Sequence, residues 1–348
     1  MSYILDSCTN SLGRSPLDVS LTIPGDIPMK QALVAQALWH QLWLDYSHRV
    51  PYARIYEGVI AEAGGTVAND HIAFRSLALS IETAIGRVNL GIPHLEQVLD
   101  GLGYVPMGEL SFPSQNLYAR HYCHPQQDEF DLPKLFISEL RVDHLPPEVR
   151  SHLEKTVQSG LDLEGLLECQ SAIQDLKAMD TSSPDPHILA QRLKCLFVRP
   201  WMPPVRSHLE TVNAVSQYGA WVLLHGYAVN HFTGYINRQN TPAYPDIETT
   251  AQALRKRGVP MKAEIEGTAE VGLRQTATQA VQESVIVRSQ PEGPFQEIPW
   301  TYAYYEIAQR FAIEPTPGHP ELFQGFLGPN AAQLFEMTRS PGSIAPPG

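Results

Sequence analysis

The apolar positions change period several times along the chain, and each change marks an element. Asp26 followed by Pro28 opens a helix on which Ala32, Leu33, Leu38, Trp39, Leu42 and Trp43 recur at helical spacing through about Tyr46. A second helix is expected over 52–63, ended by Gly64 and Gly65. The period then drops to two. In Asn69-Asp70-His71-Ile72-Ala73-Phe74-Arg75, an extended chain puts His71, Ala73 and Arg75 on one face and Ile72 and Phe74 on the other. A helical stretch over 80–88 and a shorter helix over 94–102, opened by Pro93 and closed by Gly103, come next. Three strands follow, at 104–110, 115–122 and 134–140, so that 66–144 reads as a βαβββ unit.

From 145 to 218 the pattern is helical, with predicted helices over 148–158, 161–179, 187–197 and 207–218. Pro146-Pro147, Ser182-Ser183-Pro184 and the prolines between 200 and 204 punctuate it. Strand periodicity resumes at 228–236, around His231. A helix over 246–257 and strands at 271–278, 284–288 and 302–310 complete a second strand–helix–strands unit at 219–312. The predicted fold is therefore α+β: two βαβββ modules curling one sheet around a cavity, preceded by a helical segment (1–65) and separated by a helical insert (145–218). Residues 313–348 are expected to hold a C-terminal helix and a disordered tail from about Ser340.

Composition narrows the partners. A formal net charge of −12 argues against nucleic acid, since phosphate binding needs a surplus of Lys and Arg. No apolar run approaches the roughly 18 residues of a membrane span, and the first residues lack the pattern of a secretory leader. Four cysteines without CxxC spacing (Cys8, Cys123, Cys169, Cys195) are expected to be reduced, structural thiols in a cytoplasmic protein.

Chemistry is carried by three stretches. Asp70-His71 is echoed by Asn230-His231-Phe232-Thr233, and Tyr304-Tyr305-Glu306-Ile307 places a carboxylate inside an apolar, aromatic strand. Two histidines and one carboxylate from three strands form the set that holds non-haem Fe(II) with coordination positions left open. Each residue also has an ordinary reading. His71 and His231 could be satisfied core histidines, and Glu306 could pair with Arg310 on its own face. His225 is a rival to His231 but reads as part of a helix-to-strand connection. His121 and His124 form an HxxH that reads as surface or pocket lining, and His319-Pro320-Glu321 lies in a proline-bounded loop with no later histidine to complete a triad. Arg75 can bind a carboxylate in bidentate fashion or serve a structural salt bridge. Gln275 and Thr233 are candidates to bind substrate, or are polar groups of a sheet surface. No P-loop, GxGxxG after a strand or GxSxG occurs.

These residues resemble the 2-oxoadipate dioxygenase/decarboxylase family, distant members of the vicinal oxygen chelate superfamily. The pieces that carry the likeness are Asp70 to Arg75, Leu132 to Leu140, Asn230 to Thr233, Leu273 to Thr276, Tyr304 to Arg310 and Asn330 to Thr338. The Tyr305-Glu306-Ile307-Ala308-Gln309-Arg310 piece also resembles the ligand strand of 4-hydroxyphenylpyruvate dioxygenase. The resemblance implies that His71, His231 and Glu306 bind Fe(II) and that Arg75 holds a carboxylate of a small 2-oxo dicarboxylic acid. It implies conversion of 2-oxoadipate with O2 to D-2-hydroxyglutarate and CO2. Two other readings stay open: a metal-dependent isomerase, lyase or hydrolase acting on a small carboxylate, and a non-catalytic 2-oxo-acid-binding protein.

Overall fold

The computed structural model describes residues 26–180, 185–316 and 318–328. The chain opens with α1 (Asp26–Arg49) and α2 (Pro51–Glu62), then β1 (Asn69–Leu77), a hairpin β2 (Ser80–Thr83) and β3 (Gly86–Asn89), and α3 (Ile92–Gly101). Strands β4 (Val105–Phe112), β5 (Leu117–Cys123) and β6 (Lys134–Leu140) follow. The insert consists of α4 (Pro147–Gln158), α5 (Leu163–Lys177), α6 (Pro186–Leu193), α7 (Arg206–Val215) and α8 (Gln217–His225). Next come β7 (His231–Tyr235), α9 (Ile247–Lys256), β8 (Glu266–Thr268) and β9 (Leu273–Ala277). A hairpin of β10 (Gln282–Arg288) and β11 (Phe295–Thr301) precedes β12 (Glu306–Arg310), and β13 (Ala312–Thr316) and β14 (His319–Leu322) form the last hairpin.

Eight of the strands form one sheet in the order β4-β5-β6-β1-β7-β12-β9-β8. Its two halves share one plan. In the first, β1 lies at the seam and pairs in parallel with β6; in the second, β7 lies at the seam and pairs in parallel with β12. The seam is antiparallel, with His71 opposite Thr233 and Ala73 opposite His231. Helices α3 and α9 are the crossovers. The duplication expected from the pattern is present, and the register makes it an approximate two-fold exchanging His71 with His231 and Ala73 with Thr233.

The apolar sides of β1 and β7 are covered by α1. Trp39 packs on Phe74 (ring centroids 6.3 Å apart), while Trp43 and Tyr46 both pack on Phe232 (5.1 Å each). This is the helical stripe read in the sequence, and its burial fixes which face of each strand is left for the cavity. At about 25 cal/mol per Å² of apolar surface, rings of this size contribute roughly 1.5–3 kcal/mol each, so reversing the strand faces would be prohibitively costly.

Four expectations are corrected. The 80–88 stretch is the β2–β3 hairpin, not a helix. Ile81, Ile85 and Val88 have helical spacing, but Gly86 takes φ +104°, a turn conformation that brings Val88 back opposite Ile81. The strand at 284–288 pairs with β11 outside the main sheet; the fourth strand of the second half is the three-residue β8, too short to show a period. Helix α8 is separate from α7 because Ser216 is extended and its hydroxyl accepts a hydrogen bond from the Gly219 N–H. Finally, Cys169 and Cys195 are joined as a disulfide across the insert, not reduced; Cys123 is a buried free thiol. Residues 312–322 form a hairpin, and the expected helix and tail past residue 328 lie outside the described residues, as do residues 1–25 and Cys8. No helix among the described residues is long and apolar enough to cross a membrane.

Candidate metal centre

His71 projects from β1, His231 from β7 and Glu306 from β12, three adjacent strands at the middle of the sheet. Because β12 pairs with β7 with Glu306 opposite Thr233, the carboxylate arrives one strand beyond the seam, level with both imidazoles. The two Nε2 atoms are 3.4 Å apart; His71 Nε2 is 3.4 Å from Glu306 Oε1, and His231 Nε2 is 4.0 Å from Oε2. Among the described residues this is the one group of three or more His, Cys, Asp or Glu side chains whose ligand atoms converge, all within 4.8 Å. The rivals do not join it. His225 ends α8 against Trp221 and Tyr302, and His319 and Glu321 are exposed. His124, expected at the surface or lining the pocket, is buried and bonds to the Leu102 carbonyl, away from the cavity lining. His121 is buried too, against Phe326.

The residues fit a divalent cation. Metal–ligand bonds of about 2.0–2.2 Å place neighbouring ligands roughly 3 Å apart, close to the observed spacings. Each imidazole has its Nδ1 engaged behind it: His71 with Asp70 Oδ2 at 2.8 Å and His231 with Asn230 Oδ1 at 3.0 Å. An acceptor on Nδ1 keeps the proton there and leaves the Nε2 lone pair facing the centre. Burial lowers both histidines below their ordinary pKa, so both are neutral, as ligation requires. Glu306 is buried with no cationic side chain bonded to it. Its Oε1 accepts from Thr233 Oγ1 (3.3 Å), whereas Oε2 has no hydrogen-bond partner. Burial pushes the group well above the usual carboxylate range. A buried charge is costly unless it is paired or bound to metal, and a cation between the three ligand atoms would complete this one.

Arg310 is not the partner of Glu306. Its guanidinium grips Asp70 with two bonds, Nε to Oδ1 at 2.5 Å and Nη2 to Oδ2 at 2.8 Å. Burial alone would raise Asp70, but the charge of Arg310 and the bonds from His71 and Arg310 hold it well below the usual range. Asp70 is thus an anionic support for the His71 imidazole, a contact its neighbour position in the sequence did not reveal.

The two-fold is broken where chemistry requires it. β6 presents Phe136 opposite Ala73, the position equivalent to Glu306 opposite Thr233. At that position the first half therefore offers a wall where the second offers a carboxylate, so the first half contributes His71 alone and the second His231 and Glu306. Beyond the triad, the cavity is lined by Arg75, Phe112, Phe136, Ser138, Gln275, Tyr304, Phe326 and Leu327. Arg75, two residues past Ala73 on the same face, lies buried over the rings of Tyr218 (4.9 Å) and Trp221 (5.1 Å) of α8. Tyr218 is itself fixed by Ser138 Oγ at 2.9 Å. Gln275 is buried in the wall, and Thr233 Oγ1 stands between His71 Nε2 (3.1 Å) and Glu306. Sequence reasoning missed Tyr218, Trp221 and Phe326; the unbroken apolar run of α8 was the available signal for the first two.

Two βαβββ modules that build one curled sheet define a vicinal-oxygen-chelate-type fold, with two histidines and one carboxylate converging at its middle. Comparison narrows this class. A family model described as 2-oxoadipate dioxygenase/decarboxylase matches residues 59–333, and the chain belongs to that family. It is 26% identical over 287 residues to the chloroplastic 2-oxoadipate dioxygenase/decarboxylase of Arabidopsis thaliana, covering 77% of this chain and 67% of the relative. Two solved structures share the fold. One is a protein assigned to the glyoxalase superfamily from Ralstonia eutropha (TM-score 0.71, 23% identity, 85% of this chain and 86% of the other). The second is the Oryza sativa hydroxyglutarate synthase in complex with 2-oxoadipate (TM-score 0.66, 24% identity, 95% and 98%).

Proposed function

We propose that the chain is an Fe(II)-dependent oxygenase that converts 2-oxoadipate and O2 to D-2-hydroxyglutarate and CO2. The observation that carries this reading is the placement of three converging candidate ligand atoms from three adjacent strands and a buried arginine on the same face of the sheet. The metal site serves one end of a small dicarboxylic acid and Arg75 the other. Fe(II) held by His71, His231 and Glu306 would leave coordination positions for a 2-oxo acid and for O2, and supply the electrons and Lewis acidity that activate both.

The chain's own residues do the rest. Arg75 offers a planar fork to the far carboxylate, and Tyr218 and Trp221 hold that fork against rotation. Gln275 gives the wall an amide for a substrate oxygen, and Thr233 a hydroxyl at the ligand atoms. Phe112, Phe136, Phe326 and Leu327 keep bulk water from the reacting end. Asp70 and Asn230 hold the Nδ1 protons so that neither ring turns away. One substrate supplies both the carboxylate that is lost and the carbon chain that is hydroxylated, so no second 2-oxo acid is consumed.

Substrate comparison tests this reading. With Fe(II)-loaded protein, 2-oxoadipate should be used with kcat/KM at least about 100-fold above that of 2-oxohexanoate, which lacks the far carboxylate, because a bidentate charge-assisted contact contributes a few kcal/mol. Equal use of the two acids would remove the role given to Arg75. Turnover without O2 would remove the oxygenase reading.

A further inference from the structure

One guanidinium serves two parts of the site. Arg310 ends β12, four residues from Glu306, and is fully buried. Its Nε and Nη2 bind the Asp70 carboxylate that holds His71 Nδ1. Its remaining nitrogen, Nη1, donates to two main-chain carbonyls of a different segment, Phe323 O at 3.0 Å and Gly325 O at 2.8 Å. That segment runs from Leu322 at the end of the β13–β14 hairpin across the cavity. It has no strand or helix ladder of its own after Leu322. Its other main-chain tie among the described bonds is Phe323 N–H to Phe311 O at 3.0 Å.

The strap carries Phe326 onto the metal centre. The Phe326 ring stands edge-to-face to His71 (centroids 4.9 Å, 81°) and also packs on Phe136 (5.0 Å) and His121 (5.1 Å). The Arg310 guanidinium lies 5.4 Å from the same ring. So His71 is held from behind through Asp70 and covered by Phe326, and both restraints end on Arg310.

From this geometry we infer that Arg310 is a positioning residue that couples the setting of the ligand His71 to closure of the cavity roof by the Leu322–Leu327 strap. The inference rests on the metal-centre reading above. The physical reason is the fork itself. The guanidinium is planar and rigid, so the two bonds to Asp70 fix the direction in which Nη1 meets the carbonyls. Ordering one contact pre-orders the other, and coupling of this kind is reciprocal. A cation that fixes His71 should tighten the strap, and an open strap should weaken the cation.

The test needs no turnover. Co(II) affinity is measured on the chelator-stripped full-length chain, and backbone hydrogen exchange is followed in peptides covering 318–328. In the unaltered protein, Co(II) should slow exchange in the strap at least about threefold. In Arg310→Gln, Co(II) affinity should fall about 10- to 100-fold, the range for loss of a group that supports a ligand. Strap exchange should rise, and the Co(II) effect on it should vanish. Asp70→Asn, which loses one of the two bonds to Arg310, should weaken Co(II), raise strap exchange and shrink the Co(II) effect on it. If Co(II) leaves strap exchange in the unaltered protein unchanged, the coupling is overturned, and this arm stands even if Arg310→Gln does not fold. Arg310→Gln with affinity or strap exchange within twofold of the unaltered protein overturns it as well. Tight Co(II) binding with a coupled strap but no O2 uptake by the Fe(II) form would instead count against the proposed reaction alone.

Discussion

Replacing Glu306 by glutamine separates the cost of a buried carboxylate from the cation it serves. In the metal-free protein Glu306 is sealed from water, with Thr233 as its hydrogen-bond donor and Oε2 without a partner. An incompletely satisfied buried polar group costs about 1–3 kcal/mol, more when charged. Glutamine has the same shape, keeps an oxygen for Thr233 and carries no charge. Unfolding entropy of about 2.1 cal/mol/K per residue, over 348 residues, makes 1 kcal/mol worth roughly 1.4 °C. Metal-free Glu306→Gln should therefore melt about 1–4 °C above the metal-free parent at pH 7.5. Cation reverses the order. At 1,000 times its Kd a ligand stabilises by about 4.1 kcal/mol, so the parent should gain about 5–6 °C with saturating Co(II) and the variant little. Scanning calorimetry of chelated and Co(II)-loaded samples reads both effects. A metal-free variant that melts below the metal-free parent, or an equal Co(II) gain in both proteins, would refute the reasoning.

Arg75→Lys keeps the charge but loses the fork; KM for 2-oxoadipate should rise about 10- to 100-fold with Co(II) affinity unchanged, checked by steady-state kinetics and metal titration. His94 is buried, stacked on Tyr227 at 4.2 Å, and burial pushes its pKa down to about 4. The unfolded chain takes the proton first, near 6.5, so this histidine's contribution is intact above pH 6.5 and lost as pH falls toward 4. At 1.36 kcal/mol per pH unit the loss is about 3 kcal/mol, and urea unfolding of His94→Phe should show a correspondingly shallower decline over that window. Gly226→Ala should destabilise by at least about 1–3 kcal/mol, measured the same way, because Gly226 has φ +60° and an added Cβ would meet the Arg199 backbone at 2.4 Å.

The faces of β1, β7 and β12 were readable because alternation leaves two choices, and the aromatic stripe of α1 covers Phe74 and Phe232. Alternation put His71 and Arg75 on one face and offered His231 and Glu306 as candidates beside them, with their ordinary readings still open. The pairing of Arg310 with Asp70 was not readable. Asp70 adjoins His71 and Arg310 lies four residues from Glu306, and choosing between Glu306 and Asp70 as the arginine's partner requires knowing that β1 and β12 flank β7. The strand at 284–288 was misplaced for a similar reason, and its partner β11 was not read at all: alternation marks a strand but not the sheet it joins. Helix α8, which holds Arg75 through Tyr218 and Trp221, is apolar on every side, so it had no amphipathic period to reveal it.

Oxygen uptake by Fe(II)-loaded protein on addition of 2-oxoadipate tests the central claim most directly, with CO2 and product measured in the same sample. One O2 consumed and one CO2 and one D-2-hydroxyglutarate formed per substrate, all abolished in His71→Ala and Glu306→Ala, is the predicted result. Tight metal binding without O2 uptake on any 2-oxo acid, or uptake that survives loss of either ligand, would contradict it.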